Sequence, residues 1–181
     1  NLSKEAINHN LTGLEWASGI PGSLGASIIG NAGAYKDEIS NYITELEVLE
    51  NNKVKLLKKN DLSFSYRCSN LKTRDIIILK ATLTLKPGTK EESINLVKER
   101  LEKRLATQPL EYPSAGSVFR NPEGLFAGKL IEDLGLKGYK IGGAQISNKH
   151  ANFIINTGNA TSKDIKSLIK HITKEVKKHY N

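Results

Sequence analysis

The chain has 181 residues, 38% apolar and 25% charged, with 15 glycines and 5 prolines, which allows one large domain or two small ones and excludes collagen-like, low-complexity and disordered classes. Its net charge of +8 is uneven, with 11 Lys/Arg against 9 Asp/Glu in residues 1–88 and 16 against 10 in residues 89–181. A basic half suits nucleic acid, a membrane surface or a phosphorylated small ligand, but six of its lysines fall between Lys163 and Lys178 on an amphipathic pattern without interleaved aromatics, the pattern of a solvated helix face rather than a stacking platform for single strands.

In chain order, Ser3 to Leu11 reads as a short helix with Ser3 as N-cap and Gly13 past its end. Residues 19–35 hold five glycines and a proline, so the backbone there turns sharply and can approach a ligand closely. Tyr42 to Glu50 and Lys53 to Leu57 are strands joined at Asn51-Asn52, since Asn tolerates positive φ. Ile76 to Leu85 is a third strand with Leu79, Ala81, Leu83 and Leu85 on one face. Pro87-Gly88 ends it and marks a boundary between domains 1–88 and 89–181. Thr89-x-x-Glu92 then opens a helix with an apolar stripe of Ile94, Val97, Leu101 and Leu105. Pro109 to Gly124 reads as loop, Ala127 to Leu134 as a two-turn helix closed by Gly135, and Ile141–Ile146 and Ala151–Ile155 as short strands. Thr161-x-x-Asp164 opens the final helix, on which Ile165, Leu168, Ile169, Ile172 and Val176 recur at helical spacing. The order implies an α+β fold rather than alternating βαβ units.

The longest apolar run, Ile76 to Leu79, is far shorter than the roughly 20 residues of a membrane-spanning helix, and no signal-peptide core is present. Cys68 is the single cysteine, so no internal disulfide forms, and no Cys/His spacing suits a metal. The reading is a soluble, cytoplasmic protein with no metal. Methionine is absent even at position 1, which implies a lost initiator or part of a longer polypeptide.

Three segments could carry chemistry. The glycine-rich turns of 19–35 expose backbone N–H groups of the kind that bind phosphates, although the segment is neither a Walker A loop nor a dinucleotide fingerprint, and its glycines also suit a tight crossing of backbone on backbone. In Ser63 to Ser69, Arg67 beside Tyr66 could clamp a carboxylate, or could be an ordinary surface arginine. In Pro113 to Pro122, Ser117 lies in no nucleophile elbow and has no histidine near it in sequence. Its hydroxyl is better placed as a hydrogen-bond or proton donor than as a nucleophile, unless it only caps a turn.

Together the motifs are more specific. Gly13-Leu14-Glu15-Trp16-Ala17-Ser18-Gly19-Ile20-Pro21-Gly22-Ser23-Leu24-Gly25 with Asn31-Ala32-Gly33-Ala34-Tyr35 resembles the flavin-binding segment of the UDP-N-acetylenolpyruvoylglucosamine reductase family. Tyr66-Arg67, Ala115 to Pro122, Ala127 to Glu132 and Ile141-Gly142-Gly143-Ala144 follow in that family's order, over nearly the whole chain. The resemblance implies an FAD-dependent oxidoreductase of peptidoglycan precursor synthesis that takes hydride from NADPH and reduces a UDP-sugar enolpyruvate to UDP-N-acetylmuramate. It implies FAD-binding residues Gly19, Ile20, Pro21, Gly22, Ser23, Asn31, Ala32 and Gly33. Arg67, Ser117 and Tyr66 would be its catalytic residues, with Arg67 polarising the substrate carboxylate and Ser117 protonating the neighbouring carbon. Asn121, Lys137 and Lys140 are the candidates for holding the UDP-sugar. The 50-residue spacing of Arg67 and Ser117 resembles the family's compact class.

The same resemblance implies that residues 1–88 are the second half of an FAD-binding domain and 89–181 a smaller substrate-binding domain, in a monomer with a small-molecule substrate and no nucleic-acid or membrane partner. It also implies that an N-terminal FAD subdomain and a C-terminal strand with a catalytic glutamate lie outside this sequence. The alternative is a non-catalytic module that binds a nucleotide-sugar or another polyanion.

Overall fold

The computed structural model describes residues 2–180. In chain order it runs α1 (Leu2–Asn8), β1 (Leu11–Thr12), α2 (Leu24–Ile29), β2 (Gly33–Ala34), β3 (Asp37–Glu38), β4 (Ile43–Glu50), β5 (Lys53–Lys58), β6 (Phe64–Ser65), β7 (Cys68–Ser69), β8 (Ile76–Leu83), β9 (Lys86–Pro87) and α3 (Lys90–Thr107). It continues with β10 (Ser114–Ser117), α4 (Ala127–Asp133), β11 (Lys140–Ile141), β12 (Ala144–Ile146), β13 (Phe153–Asn156) and α5 (Ser162–Tyr180). The fold is α+β, as the order of elements implies. No helix among the described residues is long and apolar enough to cross a membrane.

Two compact units divide at Leu101/Glu102, inside α3, and not at Pro87-Gly88. The Pro-Gly pair is no linker, because it is zipped to the start of the chain. Leu11 and Thr12 of β1 pair with Pro87 and Lys86 of β9, and the Gly88 N–H donates to the Asn10 carbonyl at 2.9 Å. Ser93 of α3 is then tied down by Glu15. That carboxylate, 5% exposed, accepts from the Ser93 hydroxyl at 2.6 Å, the Thr12 hydroxyl at 2.8 Å and the Gly13 N–H at 2.9 Å.

The first unit is built on an antiparallel sheet in the order β5-β4-β8. Inward residues Ile43, Leu46 and Val48 of β4 pack with Leu14, Trp16 and Ile28 in one core. Asn51 and Asn52 join β4 to β5 with φ of 51° and 56°, the left-handed pair that a two-residue hairpin favours. Leu79 departs from the expected face and is 49% exposed, because the β4–β8 register shifts beside Val48 and turns Leu79 and Lys80 both outward. Ser3 lies inside α1, 2% exposed, rather than capping it. Thr89 does cap α3, its hydroxyl accepting from the Glu92 N–H at 3.3 Å and donating to the Glu92 carboxylate at 2.7 Å. Of the apolar stripe on α3, Ile94 and Val97 are half-buried while Leu101 and Leu105 are exposed.

The second unit is an antiparallel sheet in the order β10-β13-β12-β11, with α4 and α5 contributing Ile131, Leu168 and Ile172 to its core. The expected strand Ile141–Ile146 is two strands, broken by Gly142-Gly143 into a hairpin, with Gly142 at φ +55°. The Thr161–Asp164 pair forms a reciprocal cap, with Thr161 N–H donating to Asp164 at 2.9 Å and Asp164 N–H to Thr161 Oγ1 at 3.1 Å. Those bonds, the Thr161 N–H foremost, hold the Asp164 carboxyl below the usual range. The six lysines of α5 are all exposed, so this stretch is a solvated face.

Burial pushes the Glu15 carboxyl up, but the bonds from Ser93, Thr12 and Gly13 outweigh it and hold its pKa below 4.5. The folded state therefore gains stability from the ionised carboxylate at neutral pH and loses that gain as pH falls from about 4.5 through the folded pKa. Glu15→Ala is expected to cost about 2–4 kcal/mol by stranding three donors, measured as a lower urea midpoint at pH 7. The deficit relative to the parent should narrow at pH 3, and a constant deficit would show that the carboxylate is not the source.

Candidate functional sites

Each unit carries a cavity. In the first, about 410 Å³ is lined by the apolar Leu14, Trp16, Ile20, Leu24 and Ile39 and the hydroxyl-bearing Ser3, Ser23 and Ser27, with Pro21, Gly22 and Ala32 among the rest of the wall. Ser23 caps α2, accepting the Ala26 N–H at 3.2 Å, which leaves its own O–H free to donate. Among the described residues, Ser3 Oγ and Trp16 Nε1 are buried without a hydrogen-bond partner. The indole N–H lies near enough to the Tyr42 hydroxyl to lower its pKa, against the larger upward push of burial and of Asp37, which accepts from that hydroxyl at 2.5 Å. The Ser3 hydroxyl is left an orphan among the described residues of the cavity wall, a costly state for a buried group unless something else bonds it.

Beside this cavity, Tyr66 and Arg67 form the turn between β6 and β7, with Arg67 at φ +56°. Its guanidinium donates to the carbonyls of Gly33 at 2.5 Å and Asn31 at 3.4 Å and stacks over the half-exposed Tyr66 ring at 5.0 Å. Five N–H donors on a guanidinium leave three for a ligand. Asn31 is fully buried and braces the arrangement, its amide N–H donating to the Ser65 carbonyl at 3.0 Å and its Oδ1 accepting from the Ser40 N–H at 3.3 Å.

In the second unit, a cavity of about 500 Å³ is lined by Ser117, Asn121, Phe126, Gly128, Lys129, Glu132 and the run Lys149 to Asn152, with Ala106 and Thr107. Ser117 ends β10 and is exposed. Asn121 reaches the start of α4 from the loop before it, its Oδ1 accepting the N–H of Ala127, the first helical residue, at 3.0 Å. His150 Nδ1 accepts from the Asn152 N–H at 3.2 Å. Burial, and then the nearby Lys137 charge, push the imidazole pKa below 6.5 and keep the ring neutral at pH 7. No hydrogen bond among the described residues joins it to Ser117, so the pair is not arranged as nucleophile and base.

The UDP-N-acetylenolpyruvoylglucosamine reductase, C-terminal domain, family model matches residues 108–181. UDP-N-acetylenolpyruvoylglucosamine reductases from Caldanaerobacter subterraneus subsp. tengcongensis and from Clostridium botulinum strain Eklund 17B are each 50% identical to this chain, over 99% of it and 60% of their own length. The crystal structure of the Thermus caldophilus UDP-N-acetylenolpyruvylglucosamine reductase superposes with a TM-score of 0.87 at 36% identity, covering 96% of this chain and 64% of that one. The chain belongs to the UDP-N-acetylenolpyruvoylglucosamine reductase family. It spans about 60% of the length of these curated relatives.

Of the residues that the sequence singles out for a cofactor, Ile20, Pro21, Gly22, Ser23 and Ala32 line the first cavity. Gly19, Asn31 and Gly33 do not line it. Gly19 turns the chain at φ +76°, and the carbonyls of Asn31 and Gly33 hold Arg67. Of the substrate candidates, Asn121 shares a cavity with Ser117, whereas Lys137 and Lys140 stay outside its lining. Lys137 is paired with Glu132 at 2.7 Å and Lys140 is exposed at the start of β11. The cations that do line the cavity are Lys129 and Lys149, and with His150 and Asn152 they escaped sequence reasoning. Lys149-His150 stands outside every motif, and only its place ahead of a strand could have drawn notice.

The His150 environment is directly measurable. In an imidazole NMR titration its pKa is expected below 6.5, and Lys137→Ala should move it upward by removing a repelling charge. Because the folded state resists protonation there, the protein should lose stability as pH falls from 6.5 through the folded value. A titration at or above 6.5 would contradict the burial argument.

Proposed function

We propose that the chain carries flavin- and substrate-binding parts of an FAD-dependent, NADPH-consuming oxidoreductase that reduces UDP-N-acetylglucosamine enolpyruvate to UDP-N-acetylmuramate in peptidoglycan precursor synthesis. The observation that carries this reading is the Arg67 guanidinium, anchored on the carbonyls of the glycine-rich segment in a left-handed backbone conformation. An arginine in that region is held against its preference, and such strained residues cluster at functional sites. The first cavity fits part of a flavin nucleotide, with an apolar wall for a ring system and the orphan Ser3 hydroxyl for a polar atom. When bound, FAD supplies the hydride that it has taken from NADPH.

Hydride addition at one carbon of the enolpyruvyl double bond moves the electron pair onto the neighbouring carbon and the carboxylate. Arg67, with three free N–H donors, would hold that carboxylate most tightly as its charge grows, which favours the transition state over the ground state. Tyr66 supports the guanidinium from below. Ser117 would deliver the proton to the neighbouring carbon, completing the lactyl ether. Asn121, Lys129 and Lys149 would meet the polyanionic UDP-sugar, with Lys137 and Lys140 further out. Apart from Tyr66 and Arg67, residues 1–101 would then serve the cofactor and residues 102–181 the substrate, in a cytoplasmic monomer. The alternative, a module that only binds a polyanion, gives no reason for Arg67 to be braced in this conformation.

Stopped-flow absorbance on the flavin-loaded protein separates the two. Ser117→Ala should leave flavin reduction by NADPH unchanged and slow reoxidation by the enolpyruvate by several orders of magnitude. Arg67→Ala should slow the same step by about 10² to 10³, and Arg67→Lys should restore it only in part, since an ammonium lacks the planar fork. Normal reoxidation in Ser117→Ala would remove it from the chemistry.

A further inference from the structure

We infer that Asn152 is the positioning residue that fixes the Ser117 loop, an inference that rests on the proton-donor role proposed for Ser117. The ladder between β10 and β13 is thin at this point: Ser114 pairs with Ile155 and Ser117 with Phe153, with a register shift between them and Gly116 at φ +81°. Beyond Ser117 the strand ends. Asn152, 4% exposed, takes over there. Its Oδ1 accepts the Phe119 N–H at 2.8 Å, its Nδ2 donates to the Phe119 carbonyl at 2.8 Å, and its backbone carbonyl accepts the Val118 N–H at 2.9 Å.

The side-chain amide thus stands in for a peptide unit of a neighbouring strand, offering an acceptor and a donor to both polar groups of one residue. Its orientation is forced, because the flipped amide would set donor against donor and acceptor against acceptor. The Ser117 hydroxyl is exposed and bonded to no described residue, so nothing but the backbone aims it. A bulge on one side and the Asn152 clamp on the other define that backbone. An amide serving only to fill the space would be a poor choice, since an apolar side chain would fill it without the cost of burying a polar group. The neighbouring His150 depends on the same residue, since its Nδ1 accepts the Asn152 N–H.

The test combines kinetics with amide exchange on the flavin-loaded protein. Asn152→Ala should leave flavin reduction by NADPH unchanged and slow reoxidation by the enolpyruvate by about 10²-fold, the effect of roughly 1 Å of misplacement. Asn152→Asp keeps the acceptor and loses the donor, so its reoxidation should be intermediate, and it serves should the alanine variant fail to fold. The Ser117→Ala/Asn152→Ala double variant should be no slower than Ser117→Ala alone. In the flavin-free protein, Asn152→Ala should accelerate Phe119 amide exchange about tenfold while the β12 amides keep their rates. A lowered melting temperature with both half-reactions and Phe119 exchange unchanged would overturn the inference. Normal reoxidation in Ser117→Ala would overturn the proton-donor reading instead, and the exchange rate would then decide the clamp alone.

Discussion

The first unit depends on one buried carboxylate. Glu15 gathers donors from Thr12, Gly13 and Ser93, which lie on a two-residue strand, a turn and a helix more than seventy residues along the chain. A buried carboxylate is tolerable only when its lone pairs are met, and here three of about four are. The arrangement makes the first part of α3, up to Leu101, belong to the first unit, together with Tyr35, whose ring lies under the Arg100 guanidinium at 4.7 Å and whose hydroxyl donates to the Arg100 carbonyl at 3.1 Å. A boundary drawn at Pro87-Gly88 misses this, because turn composition looks the same whether the turn links two units or closes one.

With that frame fixed, the chain can hold residues in conformations they would not choose. Tyr35, Lys36 and Arg67 all have positive φ, each at a cost of order 1 kcal/mol. Tyr35 is compensated by its contacts to Arg100. Arg67 is compensated by the carbonyls of Asn31 and Gly33, and those carbonyls are in turn fixed by the buried Asn31 amide. The glycine-rich segment therefore does two jobs: part of it walls a cavity, and part of it grips an arginine.

Legibility in the sequence followed the range of the interaction. Local signals were readable: the Asn51-Asn52 turn and the Thr89 and Thr161 caps rest on contacts within a few residues, and the stripe of α5 on a helical period that one element carries by itself. The face of Leu79 was not, because a bulge set by β4 reverses the alternation. β10 was not, because Ser-Ala-Gly-Ser has little strand propensity and is a strand only through β13. The resemblance singles out Ser117 and Arg67, but the contacts that support them are not local, since Asn152 acts on a residue 33 positions away and Asn31 on one 34 away.

Charge was the least informative signal of all. The excess of lysine in the second half is spread over the solvated face of α5, and the cations near the second cavity are already engaged. Lys129 is paired with Asp133 at 2.5 Å, Lys137 with Glu132 at 2.7 Å, and Lys149 donates to the Leu105 carbonyl at 2.6 Å. Exposed pairs of this kind contribute no more than about 1 kcal/mol each, so an incoming anion can exchange partners with them at little cost. His150 adds no charge at neutral pH, and Glu132 opposes the lysines from the same wall. A ligand held in this cavity would therefore be selected by hydrogen-bond geometry, set by β10, the Asn121 bond to α4 and the Asn152 amide, rather than by the sign of the surrounding field.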